Sequence, residues 1–260
     1  MPFGFLWDVL STKKHKARVD ELQYMLNEKG KRVVMAGAKQ LLVSSLMLFI
    51  QLVVFLISAG HFPDFRPWVY FGTAFVHYCV SIAVQCKLNP ELVVQRLKRK
   101  REGSKLWDEV LMRLSNLMVV VAIPAVAGLD YGRFHWFDLD VSFVVLGFLF
   151  VFASTFFLNW AMVVNPYFEP TVRIQKDRGH RVIASGPYAI VRHPGYLAGI
   201  LFTLSIPVLI GSVLAFIPVG IYLVLIVART WLEDETLRKE LDGYSKYAEL
   251  TRYRLLPGVW

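Results

Sequence analysis

Between Pro194 and Ala228 the chain runs for 35 residues without a charged side chain. As one straight helix that run would be about 52 Å long, against a hydrocarbon layer of about 30 Å. It is too long for a single span and too apolar for water. Gly211 and Ser212 fall near its middle, with Pro207 and Pro218 on either side, where a helix can stop and reverse. The run therefore reads as a helical hairpin. Four more uncharged stretches precede it: Leu41–Ala59, Pro67–Cys86, Leu114–Leu129 and Val141–Asn165. The third is short, and reaches span length by drawing in Leu106–Arg113, whose polar residues then snorkel or face protein.

Charge placement fixes the direction of each crossing. Lys and Arg number eight in residues 1–40, eight in 87–113, five in 166–193 and six in 229–260, whereas 60–66 and 130–140 hold one each. Basic loops stay on the cytoplasmic side, and only an even number of crossings in the final run keeps both 166–193 and 229–260 there. The expectation is an all-α, polytopic integral membrane protein of about six transmembrane helices with both termini cytoplasmic. Residues 1–164 would carry four spans, and residues 165–260 a C-terminal region made of the hairpin and a tail. The eight basic residues ahead of the first long apolar run do not read as a cleavable signal.

Hydrophobic residues make up 55% of the chain, so its net charge of +9 describes membrane-facing loops rather than a nucleic-acid surface. Membrane lipids are the expected surroundings. Asn89–Lys105, with Leu92, Val93 and Leu97 among Arg96, Lys98, Arg99, Lys100 and Arg101, reads either as an interfacial amphipathic helix or as a solvated basic loop. Lys16–Glu28, with Val19, Leu22, Met25 and Leu26 along one side, is a second candidate. Cys79 and Cys86 lie seven residues apart, about 10 Å on a helix and beyond disulfide reach.

A transporter would put ionisable groups inside its spans; here His77, Asn116 and Asn159 are the exceptions in otherwise apolar runs, and His77 reads as a helix-packing residue. Polar density instead rises from Asn165 to Tyr196 and again from Arg229 to Trp260. No metal-spaced His/Cys cluster is visible. The first polar segment contains Gly179-His180-Arg181-Val182-Ile183-Ala184-Ser185-Gly186-Pro187-Tyr188 and then Arg192-His193-Pro194-Gly195-Tyr196. Its Gly-Pro and Pro-Gly turns free backbone groups from helix bonds. Pro194 suits the first turn of the next helix, whose N-terminus favours a ligand carboxylate. Tyr188, Tyr196, His180 and His193 could line a small-molecule pocket, although Arg-His-Pro is also what a plain polar helix start looks like. In the second segment Arg229 and Glu233 lie one turn apart on one helix face. That spacing suits an exposed ion pair of little worth, or a carboxylate for a cationic ligand beside an arginine for an anionic one.

The order His180-x-x-Val-x-x-Gly-x-Tyr188, Arg192-His193-Pro194-x-Tyr196, an uncharged hairpin, Arg229-x-x-x-Glu233-Asp234-x-x-Leu237, then Tyr and Arg-Leu-Pro-like elements resembles the isoprenylcysteine carboxyl methyltransferase family and the related membrane phospholipid N-methyltransferases. The likeness covers roughly residues 165–257. It implies S-adenosyl-L-methionine as methyl donor in a pocket at the cytoplasmic face, and a lipophilic small molecule or lipidated substrate as acceptor, either a carboxylate of the isoprenylcysteine kind or a lipid amine. It carries over the donor contacts to His180, Arg181, Val182 and Ile183, to Tyr188, to Arg192, His193, Pro194, Gly195 and Tyr196, and to Glu233. An upstream polar contact falls on Arg173 or Gln175, and the substrate-contacting arginine on Arg229. The chain departs at Ala198, where the family has Gly, and at Asp234, where Glu is common. Membrane sterol and enone reductases that use NADPH share an Arg-His-Pro-Asn-Tyr motif, typically followed by Gly-Glu; Gly195 and Ala198-Gly199 depart from it, so reduction is the alternative reading. A non-enzymatic helical scaffold or transporter is a third.

Overall fold

A computed structural model describes residues 3–97 and 103–260, with side chains from residue 24 onward. Helix α1 (Phe3–Ala59) is followed by α2 (Phe65–Leu88) and the short α3 (Pro90–Arg96). Helices α4 (Leu106–Leu117) and α5 (Ile123–Ala127) are joined and extended by π-helical turns into one rod, Leu106–Phe134. The segment Leu106–Arg113 does complete the third span. Then come α6 (Val144–Val164), α7 (Pro194–Ile210), α8 (Phe216–Glu240) and the tail helix α9 (Tyr244–Leu250).

Five helices among the described residues are long and apolar enough to cross a membrane, and α7 is a sixth, shorter apolar helix of 17 residues. The side-chain pattern fits that solvent. Phe49, Phe152 and Val224 point outward, while Gln51, Ser81, Ser154 and Asn159 are buried. Lipid offers no hydrogen bonds, so polar groups pair between helices. The Tyr70 hydroxyl donates to Gln51 Oε1 (2.7 Å), Ser154 Oγ donates to the Ala198 carbonyl (2.8 Å), and Asn159 Nδ2 donates to Ser81 Oγ (3.2 Å). His77 bonds Thr155 Oγ1 at 2.7 Å and stacks on Phe202, the packing role read for it above. Cys79 and Cys86 are free thiols.

The hairpin turns where Gly211 and Ser212 stand. Gly211 closes α7 with φ 100°, and its amide and that of Ser212 donate to the Pro207 carbonyl at 2.8 and 3.0 Å. Glycine is required there twice over, by the left-handed backbone and by the buried Arg66 guanidinium, which a Cβ would meet at 2.6 Å. Arg66 donates to the carbonyls of Val208 and Leu209, and buried Asp130 accepts from Ser212 Oγ (2.6 Å) and the Leu214 amide (2.9 Å). The tip of the hairpin is thus clasped by residues from α2 and from the rod Leu106–Phe134.

Asn89 caps α3 by accepting from the Leu92 amide, with Pro90 in the first turn. Leu92 and Val93 are fully buried, and Gln40 of α1 donates to the Val93 carbonyl. The apolar side of α3 therefore faces α1 and α2 rather than lipid. Residues 98–102, with most of the basic cluster, and the side chains of Val19 and Leu22 lie outside the described residues; Met25 and Leu26 are exposed. Helix directions alternate. The C-terminal ends of α2, α6 and α8 and the N-terminal ends of α4 and α7 share one face, and the segment 165–193 folds across it.

Candidate active site

Residues 165–193 form a compact loop because their charges and amides find each other. The Tyr167 carbonyl accepts from Gln175 Nε2 (2.7 Å), and the Tyr167 hydroxyl donates to the Gly179 carbonyl (2.9 Å). Glu169 pairs with Arg173 (2.8 Å), which also meets Asp177 (2.9 Å). Arg178 donates to Gln175 Oε1 (2.7 Å) and the Pro166 carbonyl (2.9 Å). His180 lies against the Tyr167 ring at 4.5 Å. Burial first, then the neighbouring Arg173 and Arg178, push its pKa down to about 4, so the imidazole is neutral at physiological pH.

The start of α7 is fixed by the C-terminal tail. The amides of Arg192 and His193 donate to the carbonyls of Tyr253 and Arg254, both at 3.0 Å. Asp234 of α8 is fully buried and gathers Arg192 (3.2 Å), His193 (3.4 Å), Arg238 (3.2 Å), Arg254 (3.1 Å) and the Tyr244 hydroxyl (2.8 Å). A carboxylate so surrounded belongs to the frame of the site. The Tyr188 hydroxyl accepts from Asn165 Nδ2 at 3.0 Å, and the Tyr188 carbonyl accepts from the Tyr247 hydroxyl at 2.6 Å. Burial pushes the Tyr188 pKa well above the ordinary tyrosine value, which keeps it a neutral phenol. Gly195 lies under Phe168, whose ring a Cβ would meet at 2.4 Å.

These pieces enclose a cavity of about 580 Å³. Every residue singled out from the sequence lines it: Arg173, Gln175, His180, Arg181, Val182, Ile183, Tyr188, Arg192, His193, Pro194, Gly195, Tyr196, Arg229 and Glu233. They are not equivalent. Gln175 and Arg173 spend their polar groups on the loop itself. Glu233 is half-buried, receives the Tyr196 hydroxyl, and has no ion-pair partner among the described residues.

Arg229 does not pair with Glu233, as helix spacing allowed. Its Nε donates to Asp108 Oδ1 on α4 (2.6 Å), its Nη2 donates to the Pro170 carbonyl (2.5 Å), and its face covers the Tyr196 ring at 5.2 Å. In the sequence Asp108 is one of the polar residues of Leu106–Arg113, and Asp234 is only a departure from a pattern. The available signal for Asp108 was an acid held at the mouth of a long apolar rod. Asn116, an exception in its apolar run, and Tyr244 and Tyr247 of the aromatic and basic tail also line the cavity, together with Phe168, Met112 and Leu158, whose spacing carries no mark.

The apolar helices define an integral membrane protein, and its cavity is lined by residues of α4, α6, α7 and α8, with charged groups converging on it from the last hairpin and the loop before it. Residues 145–239 match the family model described as Isoprenylcysteine carboxyl methyltransferase (ICMT) family. The match agrees with the resemblance seen in the motifs. It spans most of α6, the loop, α7 and nearly all of α8. No curated protein matches the chain.

Proposed function

We propose that the protein transfers a methyl group from S-adenosylmethionine to a lipophilic acceptor at the cytoplasmic face of its membrane. The observation that carries this reading is Glu233: an acid with no ion-pair partner among the described residues, facing a cavity of about 580 Å³ whose other acid, Glu169, is paired with Arg173. That volume suits a small-molecule cofactor, and a partly desolvated carboxylate attracts a cation. Val182, Ile183, Leu237, Leu241 and the rings of Tyr244 and Tyr247 offer an apolar wall for a heterocycle. The first turn of α7, opened by Pro194, offers amide N–H groups to a carboxylate.

S-adenosylmethionine supplies a methyl group on a sulfonium, which passes to an acceptor oxygen or nitrogen and leaves a neutral thioether. The chain's own residues bind, orient and exclude water. Among the described residues Nη1 of Arg229 has no partner, so it can hold an anionic acceptor with its attacking oxygen toward the methyl; a carboxylate acceptor needs no base. Met112 and Asn116 of α4 and Leu158 of α6 line the membrane-level wall, where a lipophilic acceptor would enter from the bilayer. The cytoplasmic assignment is supported by the number of Lys and Arg in 87–113, 166–193 and 229–260, against one each in 60–66 and 130–140.

Titration of the full chain in detergent tests the donor. Saturable S-adenosylmethionine binding is expected, weakened about tenfold by Glu233→Gln and not displaced by NADPH. Tight NADPH binding with none of the methyl donor would move the protein to the reductase reading.

A further inference from the structure

Arg229 stands beside a cavity that, on the reading above, must take a cationic donor and an acceptor that can be anionic. A bare guanidinium would attract the second and repel the first. A carboxylate outside the cavity wall resolves this conflict. Asp108, near the start of α4, is fully buried and does not line the cavity. Its Oδ1 takes Arg229 Nε at 2.6 Å, and its Oδ2 takes the Val172 amide at 2.8 Å. The Arg229 side chain is only 11% exposed, so the pair sits where charges are weakly screened. Pro170, which accepts from Arg229 Nη2, and Val172 belong to the same loop that supplies Arg173 and Gln175. One acid thereby ties α4, the loop and α8 together at the cavity's edge. It lies outside the segment 145–239 that matches the family.

We propose that Asp108 is the positioning residue of this site: it fixes the guanidinium of Arg229, leaving Nη1 for the acceptor, and cancels the charge the arginine would otherwise present to a cationic donor. Seen from across the cavity, a close ion pair is a dipole whose field falls off faster than that of a lone charge. Arg229 can then act on an acceptor in contact with it without repelling the sulfonium beyond. The inference rests on the reading of the cavity as an S-adenosylmethionine site.

A binding ratio separates this role from a purely structural one. S-adenosylmethionine and its demethylated product, S-adenosylhomocysteine, share their shape but differ by one positive charge at sulfur. Both are titrated against the full chain in detergent. Asp108→Asn leaves Arg229 uncompensated and should weaken S-adenosylmethionine about tenfold relative to S-adenosylhomocysteine. The double variant Asp108→Asn/Arg229→Gln should return the ratio to within about twofold of wild type. If Asp108→Asn does not fold, Arg229→Gln, which removes the cation and keeps the carboxylate, should move the ratio the other way. Equal weakening of both ligands in Asp108→Asn, or an unmoved ratio in Arg229→Gln, overturns the inference while the donor site stands. Binding of neither ligand to the wild-type chain overturns the donor reading and the inference with it.

Discussion

At the scale of single residues, neighbours give each charged group its task. Two carboxylates line the cavity. Glu169 is neutralised by Arg173 and Arg178, whereas Glu233 meets a phenol. Asp234, next in sequence, points away from the ligand space into a set of arginines. His180 offers a pH test. Its pKa in the folded chain is lowered to about 4 from 6.5, so between these values the unfolded chain takes up a proton that the folded chain refuses. Stability from this group is complete above pH 6.5 and declines as pH falls toward 4. Thermal unfolding of wild type and His180→Gln, compared from pH 7.5 to 4, should show a constant difference down to about 6.5 and a growing relative loss for wild type below it. A difference that stays flat to pH 4 would contradict the neutral, buried imidazole.

At the scale of elements, the hairpin α7–α8 was legible because its length, its prolines and its Gly-Ser centre each limit where a helix can reverse. The clasp that holds its tip was not. Arg66 and Asp130 appear in sequence as isolated charges beside loops, and only the folded chain brings them to Gly211 and Ser212. Gly211→Ala should destabilise the protein by at least about 1–2 kcal/mol from left-handed backbone alone, and more because the Arg66 guanidinium blocks the new methyl. Gly220→Ala is the control: no heavy atom lies within 4 Å of its built Cβ, so it should unfold at or above the wild-type midpoint. Equal midpoints for Gly211→Ala and wild type would mean that the turn is not under this constraint. Helix α3 shows the opposite limit of sequence reading. Its apolar side suits lipid or protein equally, and the fold places Leu92 and Val93 against α1 and α2.

At the scale of the whole molecule, six apolar helices in alternating directions put the cavity, the loop 165–193 and the tail on one face. Single cysteines in a background lacking Cys79 and Cys86 report which side that is. Lys176→Cys and Glu249→Cys should react with an impermeant maleimide only from the cytoplasmic side, and Phe62→Cys and Trp136→Cys only from the opposite side. All four residues are exposed. Reaction of the first pair from outside would invert the topology and place the cavity away from cytoplasmic S-adenosylmethionine.

Sequence alone determined the solvent and the crossings, because uncharged runs of bilayer length and the placement of 29 Lys and Arg are local properties of the chain. It also marked the cavity's residues, since turns, rings and charges cluster in two short segments. What only the tertiary structure decided is which charge answers which. Spacing put Arg229 and Glu233 on one helix face, yet Arg229 turns to Asp108, 121 positions away in sequence, and Glu233 is left facing the cavity. A helix period shows which side chains could meet along one element. Where charges are poorly screened and nothing in lipid replaces a lost partner, the pairing is settled by which helices pack together, and packing is a property of the whole fold.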